Sequence, residues 1–141
     1  EKIKSNWQAW EDWTSSYGAA NAAKTDVGCH FCCFGITRKC WQEIGTFDEG
    51  FIRTSYEDTD YALRAERAGF DVLTTHSAIA MHYGGITQHD LTVKEGGNQF
   101  QQLNRQYFQQ KWNVQLDGSI CSRGIFWEKE DEKNWKRRIP I

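Results

Sequence analysis

The sequence predicts an α/β domain, on three observations. Apolar residues return at helical spacing near the start of the chain and before residue 113, and capping signals mark a helix before residue 70. Short apolar runs of strand length lie between those stretches, at 27–36, 71–75 and 78–81. Glycines and polar clusters separate the runs, as connections between such elements require. At 141 residues the chain fits one domain, divided into an N-terminal segment (1–26), a core (27–113) and a charged tail (114–141).

Each element has a local cause. Ile3, Trp7 and Trp10 share one face of an amphipathic helix, with Lys4, Gln8, Glu11 and Asp12 elsewhere. From 14 to 26 the composition turns small and polar (Ser15, Ser16, Gly18, Asn21) and predicts a loop. Residues 27–36 are nearly all apolar, which suits a strand buried on both faces. Thr37 is placed to cap a short helix holding Trp41 and Ile44, with Gly45 at its end. Residues 46–54 read as an ordered loop. Ser55 with Asp58 three positions on resembles a capping box, and Glu57, Asp58 and Asp60 favour the start of a second helix that Gly69 ends. Strands are expected at 71–75 and 78–81, and Gly84-Gly85 and Gly96-Gly97 bracket a polar segment. Phe100, Leu103, Tyr107 and Phe108 predict a helix over 98–112. The alternating charges of 128–138 predict a solvated helix or a fraying terminus.

Composition excludes several classes. Seventeen basic residues against 19 acidic ones give a net charge of −2, which argues against nucleic-acid binding by counterion release. No apolar run approaches the roughly 18 residues of a membrane span, so no transmembrane segment is expected. The chain opens on Glu1 rather than Met, which fits a processed chain or a piece of a longer one. Five cysteines are an odd number, and Cys29, Cys32, Cys33 and Cys40 crowd together, which reads as buried, reduced thiols of a cytoplasmic protein rather than a disulfide framework. Cys29-x-x-Cys32 has zinc-ligand spacing, but no second pair follows it. Trp7, Trp10 and Trp13 read first as packing, then as a sugar-stacking or partner-binding face.

The richest chemistry lies in Gly45-Thr46-Phe47-Asp48-Glu49-Gly50-Phe51, in Tyr56-Glu57-Asp58-Thr59-Asp60-Tyr61 with Ala68-Gly69-Phe70, and in Met81-His82-Tyr83-Gly84-Gly85. Carboxylates at a helix start are held ionised by the exposed N–H groups, and one held there can take a proton from a hydroxyl nucleophile. Asp58-Thr59-Asp60 does not read as a metal motif. Positions i and i+2 of a helix point about 200° apart.

Taken in order, and with Asn104-Arg105-Gln106-Tyr107-Phe108-Gln109-Gln110-Lys111-Trp112 following, these stretches resemble the second half of family 2 glycosyltransferases of GT-A fold. The rhamnosyl- and galactofuranosyl-transferring members are most similar. The resemblance implies a partial GT-A-like domain, a mixed sheet with flanking helices, without the N-terminal nucleotide-binding half. It implies that Asp58 is the catalytic base for an acceptor hydroxyl, with Glu57 as its acidic neighbour. Asp48, Glu49, Tyr56 and Trp41 are the expected substrate-binding positions. His82 is the implied ligand of a divalent cation (Mn²⁺ or Mg²⁺), effective only with a donor half. The implied function is the acceptor-side portion of an inverting glycosyltransferase, which takes a nucleotide-sugar donor and a saccharide acceptor and is incomplete by itself. Its expected place is the cytoplasm, including the inner membrane surface. The alternative is a non-catalytic, truncated glycosyltransferase-like module whose uncovered surface meets a partner chain or a second copy of itself.

Overall fold

A computed structural model describes residues 7–28, 31–53, 55–82, 89–90 and 99–113, with the backbone of 127–129 and 135–137. Among the described residues it is a small α/β fold of helices and short antiparallel strand pairs. The chain forms two compact units, one from 1–34 and 72–83, the other from 35–71 and 84–141. No helix among the described residues is long and apolar enough to cross a membrane.

In the first unit, α1 spans Trp7–Ala20 and β1 (Thr25–Val27) pairs antiparallel with β2 (Leu73–Thr75). The loop expected from residue 14 begins only after Ala20, because Ser15 and Ser16 are tolerated in a helix and nothing in the stretch breaks it. Gly18 serves packing rather than termination. It is buried, and a Cβ there would lie 2.6 Å from the Ser77 carbonyl oxygen. Asn21 ends the helix by donating its side-chain N–H to the Tyr17 carbonyl at 2.8 Å.

The strand expected over 27–36 is corrected to the three residues of β1, all of them exposed. Gly28 turns the chain at φ 95°, although its N–H still donates to Val72 O at 2.7 Å. Phe31 and Phe34 then meet ring to ring across a turn, with centroids 4.6 Å apart. Residues 78–81 are irregular rather than a strand. The expected mixed sheet is, among the described residues, two separate antiparallel pairs.

In the second unit, α2 spans Arg38–Ile44, α3 spans Glu57–Arg67 and α4 spans Gln99–Trp112. Thr37 caps α2 by accepting from the Cys40 N–H at 3.2 Å, and Gly45 closes it with an N–H to the Trp41 carbonyl. On α4, Asn104, Tyr107, Phe108, Lys111 and Trp112 follow i, i+3, i+4, i+7, i+8 spacing and so share one face. Phe108 joins Phe51, Tyr56 and Leu63 in a core against which Tyr107 and Trp112 pack. In the tail, β3 (Trp127–Lys129) pairs antiparallel with β4 (Trp135–Arg137), where a helix or a frayed end was expected. Both glycine pairs, Gly84-Gly85 and Gly96-Gly97, and all of the segment between them except 89–90 lie outside the described residues.

Candidate functional site

The loop of 45–51, the start of α3 and one face of α4 meet in the second unit, and a polar network joins them. Asp60 has no exposed surface. It accepts from Arg64 Nε at 2.9 Å, from Trp112 Nε1 at 2.9 Å and from Lys111 Nζ at 2.6 Å. Lys111 also reaches Asp48 at 2.5 Å, and Tyr107 donates its hydroxyl to Asp48 at 3.0 Å. Arg64 donates to the carbonyls of Ile44 and Thr46, placing its cation at the C-terminal end of α2. Burial alone pulls the Lys111 ammonium down, but its hydrogen bonds to Asp48 and Asp60 outweigh this and leave it raised. Asp48 is lowered to about 2, first by the Lys111 hydrogen bond and against the cost of burial.

The loop fits this network closely. Gly50 donates to Asp48 Oδ1 at 2.8 Å, and the Tyr107 ring occupies the place a Cβ at Gly50 would need. Asp48 therefore ties the loop to α4, while neighbouring Glu49 is exposed. A depressed carboxyl contributes stability above its unfolded pKa and loses it as pH falls. For Asp48 that window runs from the ordinary 3.8 down to about 2. Asp48→Asn should therefore be less stable than wild type at neutral pH, with the two unfolding curves converging below that window. Parallel acid-unfolding curves, offset equally at every pH, would remove the assignment.

The chain enters α3 through a loop with three non-glycine residues at positive φ: Arg53 at 62°, Ser55 at 82° and Tyr56 at 74°. Left-handed backbone costs about 1–2 kcal/mol per residue, so the surroundings must impose it. Asn104, almost completely buried, imposes it. Its Oδ1 accepts from the Ile52 N–H at 2.8 Å, and its Nδ2 donates to the carbonyls of Ile52 at 2.8 Å and Ser55 at 2.9 Å. Tyr56, not Ser55, is the N-cap of α3 and makes no side-chain cap, so the expected capping box does not form.

This entrance presents Glu57 and Asp58 side by side, both partly buried. Asp58 Oδ1 accepts from the Thr59 N–H at 2.6 Å and from the Thr59 hydroxyl at 3.2 Å. Glu57 Oε2 is buried with no hydrogen-bond partner. Burial raises the Glu57 carboxyl, and the Asp58 charge raises it further, against the hydrogen bond of its own backbone. Of the adjacent pair, Glu57 is the carboxyl whose surroundings favour holding a proton. Asp58 and Asp60 diverge as helix geometry requires, with Asp60 facing the α4 network.

The other expected site residues are placed as follows. Tyr56 is wholly buried with its ring on Phe108, at 5.5 Å between centroids, so its part is to shape the α3 entrance. Trp41 on α2 is 48% exposed. His82 is an exposed residue of the first unit. Among the described residues no three His, Cys, Asp or Glu side chains are grouped to hold a metal ion. The expected buried thiols divide. Cys40 is buried, Cys32 and Cys33 are exposed, and Cys29 lies outside the described residues.

Lys111, Asp60, Arg64 and Asn104 were not among the expected site residues. The signal for them was the shared α4 face together with the i, i+4 spacing of Asp60 and Arg64. Comparison with protein-family models, curated proteins and solved structures finds no match to this chain.

Proposed function

We propose that this chain is the acceptor-side portion of an inverting glycosyltransferase resembling family 2, with Asp58 as the base and Glu57 beside it. The observation that carries the reading is the carboxyl pair at the start of α3, presented by a strained loop that a buried amide holds in place. A sugar hydroxyl is a weak nucleophile at neutral pH, and a carboxylate positioned at it removes the proton as the new bond forms. Glu57, raised by burial, is suited to hydrogen-bond the acceptor or to share that proton. Of the stretches that carry the resemblance, 45–51, 56–61 and 104–112 lie within one unit around the Asp48–Lys111–Asp60 link, which supports a shared purpose for them, while Met81, His82 and Tyr83 belong to the first unit. No step is assigned to a metal.

The test is a titration of isotope-labelled protein with mono- and oligosaccharides, alongside a transfer assay with nucleotide-sugar donors. An acceptor saccharide is expected to shift the amide signals of Glu57, Asp58 and Thr59 ahead of those of the first unit. A broad saccharide panel that leaves these signals unmoved, with no transfer detected, would sink the proposal.

A second reading, a non-catalytic module that binds a partner or itself, is favoured by α1. Trp7 is 62% exposed and Trp13 51%, and the rings of Trp10, Trp13 and Tyr17 form a ladder with centroids 5.5 Å apart at each step. Light scattering on the same samples distinguishes it. A monomer mass at every concentration counts against self-association.

A further inference from the structure

The cysteine cluster plays no part in the reading above, yet the structure gives two of its members a defined setting. β1 ends at Val27, Gly28 turns the chain, and the rings of Phe31 and Phe34 meet at a tilt of 46° across the turn of 31–34. Cys32 and Cys33 occupy the two positions between those rings, and both are free and exposed.

We propose that Cys32 and Cys33 form a chelating dithiol site for a soft, trivalent metalloid of the arsenic class. Two thiols on adjacent residues have three possible outcomes, and geometry separates them. Consecutive Cα atoms are about 3.8 Å apart across a trans peptide. Ordinary disulfides need about 4.4–6.8 Å, so a bond between these two sulfurs is strained and readily reduced. Structural zinc calls for four ligands, and no group of even three exists among the described residues. A single soft atom inserted between the sulfurs relieves the short span, and thiolates are the ligands such an atom prefers.

The chemistry balances without an oxidant. An organoarsenic(III) oxide meets two S–H groups, and two As–S bonds form. The two thiol protons leave with the oxide oxygen as water, and arsenic stays trivalent. Because the turn already holds both sulfurs on neighbouring residues, the second bond closes at high effective concentration. Cys40 is a poor competitor: it is buried, and that burial pushes its thiol up.

The experiment treats the full chain with one equivalent of phenylarsine oxide and follows intact mass. The wild-type adduct is expected to survive excess 2-mercaptoethanol and to be released by 2,3-dimercaptopropanol. Cys32→Ser and Cys33→Ser should each retain the adduct about tenfold less well under the monothiol, since one As–S bond lacks the chelate. Cys40→Ser should behave as wild type. Circular dichroism verifies folding, and Cys32→Ala and Cys33→Ala serve as second variants. Wild-type retention in either position's variants, or no monothiol-resistant adduct on the wild-type chain, overturns the proposal. Neither outcome bears on the carboxyl pair of α3.

Discussion

Asp60→Ala is expected to lower the stability of the second unit by about 3–5 kcal/mol, the usual cost of removing one partner from a buried ionic cluster. Asp60 is wholly buried and receives Lys111, Arg64 and Trp112. Alanine takes the acceptor from three donors at once, two of them cationic. Lys111 keeps Asp48, and Arg64 keeps the carbonyls of Ile44 and Thr46, which places the loss near the middle of that range rather than above it. At about 2–4 °C per kcal/mol for a domain of this size, the midpoint falls by roughly 10 °C. Because the chain has two units, hydrogen exchange at α3 and α4 amides is the cleaner measure. Asp60→Asn, which keeps an acceptor for Trp112, should lose less. Exchange in α3 and α4 unchanged by Asp60→Ala would mean that the network is not what holds these elements together.

The largest effect on activity belongs to Asp58→Asn. If Asp58 takes the acceptor proton, the amide should slow transfer by about 10²–10⁴-fold, since it keeps the shape but not the basicity. Stability should hardly move. Asp58 is partly exposed, and its Oδ1 accepts from the Thr59 N–H and hydroxyl, where an amide oxygen can accept in place of the carboxylate. The contrast with Asp60→Ala is informative, because the two residues lie two positions apart on one helix. The first variant is expected to change rate without stability, and the second stability before rate. An Asp58→Asn protein with wild-type turnover in the transfer assay would remove the proposed base.

Much of the second unit was legible in the sequence because its signals are local. Thr37 and Gly45 delimit α2, Gly69 follows α3, and the spacing of Phe100, Leu103, Tyr107 and Phe108 marks α4. The carboxyl pair was legible for the same reason, since its position depends only on where α3 begins. The network around it was not. Trp112 meets Asp60 across 52 positions and Lys111 meets Asp48 across 63, and no local pattern encodes such pairings. Residues 27–36 misled through composition. An apolar run satisfies a buried strand, a turn closed by two phenylalanines or exposed cysteines equally well, and tertiary context decides among them. The first unit shows the converse at Gly18, where a glycine that reads as loop serves the close approach of a helix to the Ser77 carbonyl.

The Asn104 carboxamide has a consequence for how the chain can vary. It receives one main-chain proton and supplies two, at a reach that brings both ends of the contorted α3 entrance to a single side chain. Aspartate offers no protons, leucine offers neither function, and glutamine carries an extra methylene into a filled space. In a random-mutagenesis survey, position 104 thus has no chemical synonym.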